Sequence, residues 1–190
     1  MKVKKIINYD QIEKVLKKHK NKKIVQCHGV FDLLHIGHLR HFENAKKLGD
    51  ILIVSLTADQ YIEKGFNRPF FKNQHRLESL SSVENIDYVV LNNSKSAVNI
   101  ISKIKPNFYC KGQDYKNLND DITGEIKNEI REVKKNGGKI VFTNEITFSS
   151  SSILNNIASP FGDHQNKFIN SIKKKNYTQN IVSKLKQLKD

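Results

Sequence analysis

Apolar positions along the chain keep two alternating rhythms. Tyr9, Ile12, Val15 and Leu16 fall three to four residues apart and predict a basic amphipathic helix over 9–20. Ile24, Val25 and Cys27 then predict a short strand over 23–28, which Gly29 ends. Leu39, Phe42, Ala45 and Leu48 return to helical spacing, with Gly49 expected as the C-cap. Residues 51–57 (ILIVSLT) are nearly continuous in apolar character, the mark of a strand covered on both faces. The alternation continues with a helix over 74–83, a strand over 88–91 and a helix over 97–104. A strand over 108–110 follows Pro106, then a helix over 124–136, the Gly137-Gly138 turn and a strand over 139–143. A last helix of the domain is expected over 150–158. This order predicts an α/β fold, an open, doubly wound parallel sheet of Rossmann-like type with helices on both faces. Ligands then belong outside the carboxyl ends of the strands, just after Cys27, Thr57, Leu91, Cys110 and Thr143.

Charge modifies this picture at its edges. The 190 residues carry a net charge of +14, which invites a nucleic-acid reading. Residues 1–23 contribute +7 and residues 159–190 contribute +5, so the middle of the chain is nearly balanced. Three segments are therefore expected: an N-terminal basic helix (1–23), the α/β domain (24–158) and a basic helical tail or linker (159–190). The Lys173–Lys175 run reads as a solvated face. No apolar run reaches the roughly 18–20 residues of a membrane span. Two cysteines cannot frame a disulfide network, so a cytoplasmic setting is the default; Cys27 and Cys110 fall on strands and read as core.

Candidate chemistry concentrates in residues 26–41, QCHGVFDLLHIGHLRH. Four histidines, two glycines and an aspartate lie between a strand end and the first turn of a helix. Gly29 permits a tight turn and close backbone approach to a ligand. The helix start offers unpaired N–H groups suited to polyphosphate, and His35 and His38 can face one ligand. Two other readings stay open: a metal site from Asp32, His35, His38 and His41, and histidines with a purely structural role.

Residues 28–38 (HGVFDLLHIGH) resemble the signature of the cytidylyltransferase-like nucleotidyltransferases, a family that includes glycerol-3-phosphate cytidylyltransferase and the nucleotidyltransferase domain of ADP-heptose synthase. The resemblance continues through residues 46–50, from Gly65 to Arg76, through Lys111-Gly112-Gln113-Asp114-Tyr115, and through Phe148–Ile153. It implies transfer of CMP or AMP from CTP or ATP to a phosphorylated small molecule, a sugar phosphate above all, with release of pyrophosphate. His35, His38, Lys64 and Arg76 are then expected to be catalytic. Gly29, Val30, Phe31, Asp32, Gly37, Lys111, Asp114, Ser149, Ser150 and Ser151 are expected to bind the nucleotide. Arg68 is a weaker phosphate candidate. Mg²⁺ is expected on the substrate phosphates and water, with no dedicated protein metal site. The family further implies a homodimer. Some members precede a ribokinase-like sugar kinase, so the tail after Pro160 is either a linker to such a kinase or a helix packing on a partner. The competing reading is a nucleic-acid or polyanion binding module using the basic ends. Against it stand the balanced middle and the lack of an aromatic stacking platform.

Overall fold

A computed structural model of the chain describes residues 5–63, 68–113 and 124–143. The chain divides into two compact units, Met1–Ser150 and Ser151–Asp190, and the described residues all belong to the first.

The continuous apolar run becomes β3 (Ile51–Thr57), buried at every position. It lies in a six-stranded sheet with β1 (Ile6–Ile7), β2 (Ile24–Gly29), β4 (Tyr88–Asn92), β5 (Phe108–Gly112) and β6 (Lys139–Thr143). The strand order is β1-β4-β3-β2-β5-β6 and every pairing is parallel. Parallel neighbours need crossovers, and among the described residues five helices serve or flank them: α1 (Ile12–Lys18), α2 (Ile36–Lys46), α3 (Asn73–Ser81), α4 (Val98–Ile104) and α5 (Ile126–Lys135). Alternation along the strands sorts the core into two layers. Ile24, Ile53, Val90 and Tyr109 pack with α1, α4 and α5. Val25, Cys27, Val54 and Cys110 pack with Phe42 and Ala45 of α2 and Leu77 and Leu80 of α3.

The chain runs outward from β2 through β3 to β4, then returns across the sheet to β5. The topological switch therefore falls between β2 and β5, where Cys27 pairs with Cys110. A ligand cleft belongs at the carboxyl ends of these two strands.

Two expectations need correction. Residues 5–23, the described part of the expected N-terminal extension, are built into the domain. Ile6 and Ile7 pair with Val89 and Val90 as an edge strand, and Ile12 and Val15 are buried in the main core. Two residues are too few to show a strand periodicity, which hid β1 from the sequence. Gly49 does not cap α2, whose C-cap is Lys47. It is required for close approach: a Cβ there would stand 2.7 Å from Val25 Cγ2 and 2.8 Å from the Lys23 carbonyl oxygen. The expected boundary at 158/159, the helix over 150–158 and the basic tail lie outside the described residues.

Candidate active site

β2 delivers the histidine-rich segment to the carboxyl edge, and the turn after it is built around one aromatic ring. Phe31 has φ of 47°, a left-handed backbone that bulky residues rarely adopt. Its ring occupies the space beside Gly29, where an added Cβ would lie 3.0–3.3 Å from three ring carbons. Gly29 was expected to admit a ligand to the backbone; the structure gives that space to Phe31. The ring also packs on Phe42, with centroids 5.1 Å apart, and stands edge-on to His38 at 5.3 Å.

His35 has extended backbone angles and forms the N-cap of α2. His38 follows in the first turn, beyond the buried Gly37. The two imidazoles stack, centroids 3.8 Å apart and planes 23° from parallel. The pair thus stands at a helix start, where unpaired N–H groups and the helix dipole favour an anion. One turn further on, His41 Nδ1 lies 2.6 Å from Thr143 Oγ1. The Thr143 hydroxyl donates to the Lys111 carbonyl at 3.2 Å. Its single proton is thereby used, so His41 donates from Nδ1.

Asp32, expected at the nucleoside floor, instead holds a neighbouring loop. Its Oδ2 accepts from the Phe70 N–H and its Oδ1 from the Phe71 N–H, each at 2.9 Å. Arg68 Nε lies 2.8 Å from Oδ2, and the Asp32 side chain is 1% exposed. Arg68 is thus a partner of the motif aspartate in this structure.

Arg76, expected against the nucleotide phosphates, is likewise buried. Its Nη1 donates to the Val30 carbonyl at 2.6 Å. Its Nη2 donates to the Thr57 carbonyl, Asp59 Oδ1 and Asn73 Oδ1 at 2.7–2.9 Å. Asp59 and Asn73 complete the knot by accepting from each other's backbone N–H. A single guanidinium therefore ties the ends of β2 and β3 to the start of α3. Sequence reasoning missed Asp59 and Asn73; only their position after a strand and before a helix hinted at them.

On the sheet face opposite α2, the carboxyl ends are polar. Gln26, His28 and Ser55 follow the strand alternation onto the side of α4 and α5. Ser55 Oγ donates to the Cys27 carbonyl and accepts from Gln26 Nε2. The His28 Nδ1 atom 2.9 Å away must then be the donor, which leaves Nε2 to accept from Thr57. Burial, with the Lys111 ammonium nearby, pushes the His28 pKa down to about 4, so the ring is neutral at pH 7. Lys111, expected at the nucleotide, is buried with its Nζ 2.9 Å from Glu129 Oε2. Glu129 was also missed, although a carboxylate on the Ile126–Val133 stripe of α5 is out of pattern. Lys64, Asp114 and Ser149–Ser151 lie outside the described residues.

The cytidylyltransferase-like family model matches residues 26–159. The bifunctional protein HldE of Aliarcobacter butzleri is 39% identical over 139 residues, covering 70% of this chain and 29% of its own length. HldE of Helicobacter pylori strain G27 is 36% identical over 157 residues, covering 80% and 32%. The chain thus spans about a third of the length of these relatives. The lipopolysaccharide core biosynthesis protein of Thermoplasma volcanium superposes with a TM-score of 0.56 at 26% identity, over 67% of this chain and 100% of that one. A pantoate-beta-alanine ligase of Francisella tularensis gives the same TM-score at 18% identity, over 89% and 77%, a likeness of fold. The family match runs from the middle of β2 through β6 and takes in the stacked histidines, Arg76 and Lys111. The chain belongs to the cytidylyltransferase-like family of nucleotidyltransferases.

Proposed function

We propose that the chain transfers CMP or AMP from CTP or ATP to a sugar phosphate. An acceptor phosphate oxygen attacks the α-phosphorus, the bond from the α-phosphorus to the bridging oxygen breaks, and pyrophosphate leaves. Such a transfer needs no covalent enzyme intermediate, so positioning and charge neutralisation carry the rate. The observation behind this reading is the His35–His38 stack at the head of α2, at the switch point of the sheet. Its imidazole N–H groups and the first N–H groups of α2 would hold the triphosphate as charge develops.

Among the described residues no group of three or more His, Cys, Asp and Glu gathers to hold a metal ion. Asp32 and Asp59 are engaged by Arg68 and Arg76. In this reading Mg²⁺ would be held through the substrate's phosphate oxygens and water, neutralising the leaving pyrophosphate. Lys64, Asp114 and Ser149–Ser151 complete the proposed phosphate and acceptor contacts on the strength of the family resemblance.

The sugar-phosphate acceptor is supported by the HldE relatives and by the lipopolysaccharide core biosynthesis neighbour. Those relatives are bifunctional, which supports a sugar kinase as the fused or separate partner. A homodimer and a cytoplasmic setting belong to the same proposal; among the described residues no helix is long and apolar enough to cross a membrane. The polyanion reading loses ground because the N-terminal segment joins the sheet, with Lys5 Nζ donating to the Val83 carbonyl.

Pyrophosphate release, measured with CTP and ATP against a panel of sugar phosphates, tests the proposal. One nucleotide–acceptor pair is expected to turn over, and His38→Ala is expected to abolish turnover with an unchanged melting temperature. A folded protein that neither binds nor consumes any triphosphate would overturn it.

A further inference from the structure

Lys111 stands on β5 next to Cys110, the register partner of Cys27, and so lies beside His28 at the switch point. Its ammonium turns away from solvent, 2.9 Å from Glu129 Oε2, with side chains 7% and 5% exposed. It also lies over the Tyr109 ring, 5.4 Å from the centroid. Glu129 Oε2 accepts from the Tyr109 hydroxyl at 2.9 Å, and Oε1 faces the Ala97 N–H at 3.4 Å. Burial would raise the Glu129 carboxyl, but the Lys111 ammonium, His28 and the hydrogen bonds from Lys111 and Tyr109 hold it below the usual range. The pair is ionised inside the protein.

Stability alone does not call for this arrangement. A buried ion pair roughly breaks even against well-packed apolar side chains of the same volume. Glu129 sits between Ile126 and Val133 on the buried stripe of α5, where leucine would pack. What the pair provides and leucine would not is a charge of fixed direction at the carboxyl end of β5. Lys111 is also a junction. Its side chain reaches α5, while its carbonyl accepts from Thr143, whose hydroxyl oxygen accepts from His41 Nδ1 on α2. Lys111 therefore links Glu129, held at its ammonium, to Thr143 and His41, held at its backbone carbonyl, and so to the helix that carries His35 and His38.

We propose that Glu129 is a positioning residue for nucleotidyl transfer, acting through Lys111 to fix the carboxyl end of β5 against the histidine helix. This inference rests on the transfer reaction above and concerns a residue on the far face of the sheet. Glu129 touches no substrate; its effect is on rate, through geometry.

Three variants test it. Glu129→Gln is expected to lower kcat at least tenfold while KM for the nucleotide stays within about threefold, the signature of lost transition-state positioning. Lys111→Met with Glu129→Leu, which removes both charges, is expected to melt near the wild-type temperature yet stay at least tenfold slow. NMR titration of His28 reads the pair without turnover: its pKa is expected to rise in Lys111→Met and fall further in Glu129→Gln. A wild-type rate in the charge-free double variant, or a kcat loss in Glu129→Gln that only tracks the unfolded fraction, would overturn the proposal. An unmoved His28 titration would do the same. Absence of turnover in the wild-type protein would instead count against the transfer reaction, and the His28 titration would still decide whether the pair exists.

Discussion

Phe31 stands at φ of 47° with its ring edge-on to His38, centroids 5.3 Å apart. A left-handed backbone at a bulky residue costs on the order of 1–3 kcal/mol, so the surroundings must hold it there. They do so with Phe42 on one side and the bare Cα of Gly29 on the other. The strain and the catalytic candidate are therefore one piece of structure: the turn is bent so that a ring backs His38.

Phe31→Ala keeps the unfavourable backbone and removes the ring that compensates for it. We expect a stability loss of about 3 kcal/mol by urea unfolding. We expect kcat to fall by roughly 10- to 100-fold, because His38 loses its backing and small misplacements at a reacting phosphate are costly. A variant within about 1 kcal/mol of wild type and of normal rate would show that the ring is incidental.

Arg76 serves four acceptors: carbonyls at the ends of β2 and β3, Asp59 just beyond β3, and Asn73, the first residue of α3. Arg76→Lys cannot satisfy them, since one ammonium lacks the planar fork. The expected result is a destabilisation of about 2–3 kcal/mol by thermal or urea melting, with a rate loss that follows the folded fraction. A fully stable Arg76→Lys protein with a raised KM for the triphosphate would instead return Arg76 to the phosphates.

Much of this architecture was legible because burial on two faces leaves a strong trace. Residues 51–57 read as a central strand, and that is β3. The segment from Gln26 to His41 read as a strand, turn and helix start with paired histidines, and His35 and His38 do meet. Residue chemistry was harder to assign. Asp32, Arg76 and Lys111 were expected at the nucleotide, but a charged side chain has the same spelling whether it meets a phosphate or another side chain. Their partners lie 36, 46 and 18 residues away in sequence, at Arg68, Val30 and Glu129 respectively, which no local pattern reports. β1 was invisible for a different reason, since its two residues gain their place from pairing with Val89 and Val90.

His28 links stability to pH. Its proton binds near pH 4 in the folded protein, against an ordinary value of 6.5, because burial and the Lys111 ammonium oppose the charge. Between those values the unfolded chain holds more protons, so stability falls as pH is lowered from 6.5 toward 4. The slope from this one residue is about 1.4 kcal/mol per pH unit or less, reduced by whatever solvent contact the ring keeps. Urea unfolding at pH 7, 6 and 5 measures it. His28→Gln should flatten that dependence, and an unchanged slope in the variant would assign the acid sensitivity to other groups.

The last expectation concerns Asp32 and Arg68, which sequence reasoning had sent separately to the nucleotide. In the structure they face each other, and both Asp32 oxygens also accept from the backbone at Phe70 and Phe71. Asp32→Asn keeps the shape, but it turns one acceptor into a donor facing an N–H and leaves a nearly buried guanidinium uncompensated. The loss should be about 3 kcal/mol, because breaking one side of a buried pair is worse than lacking the pair. Arg68→Gln should be milder, since Asp32 keeps two backbone donors. The double variant should then cost less than the sum of the two, with a coupling of about 1–3 kcal/mol. Kinetics separate this latch from direct contact. If Asp32 acts by holding the loop, both single variants should share one pattern of kcat and KM changes. If Asp32 touches the nucleotide, its KM defect should persist in full when Arg68 is already removed.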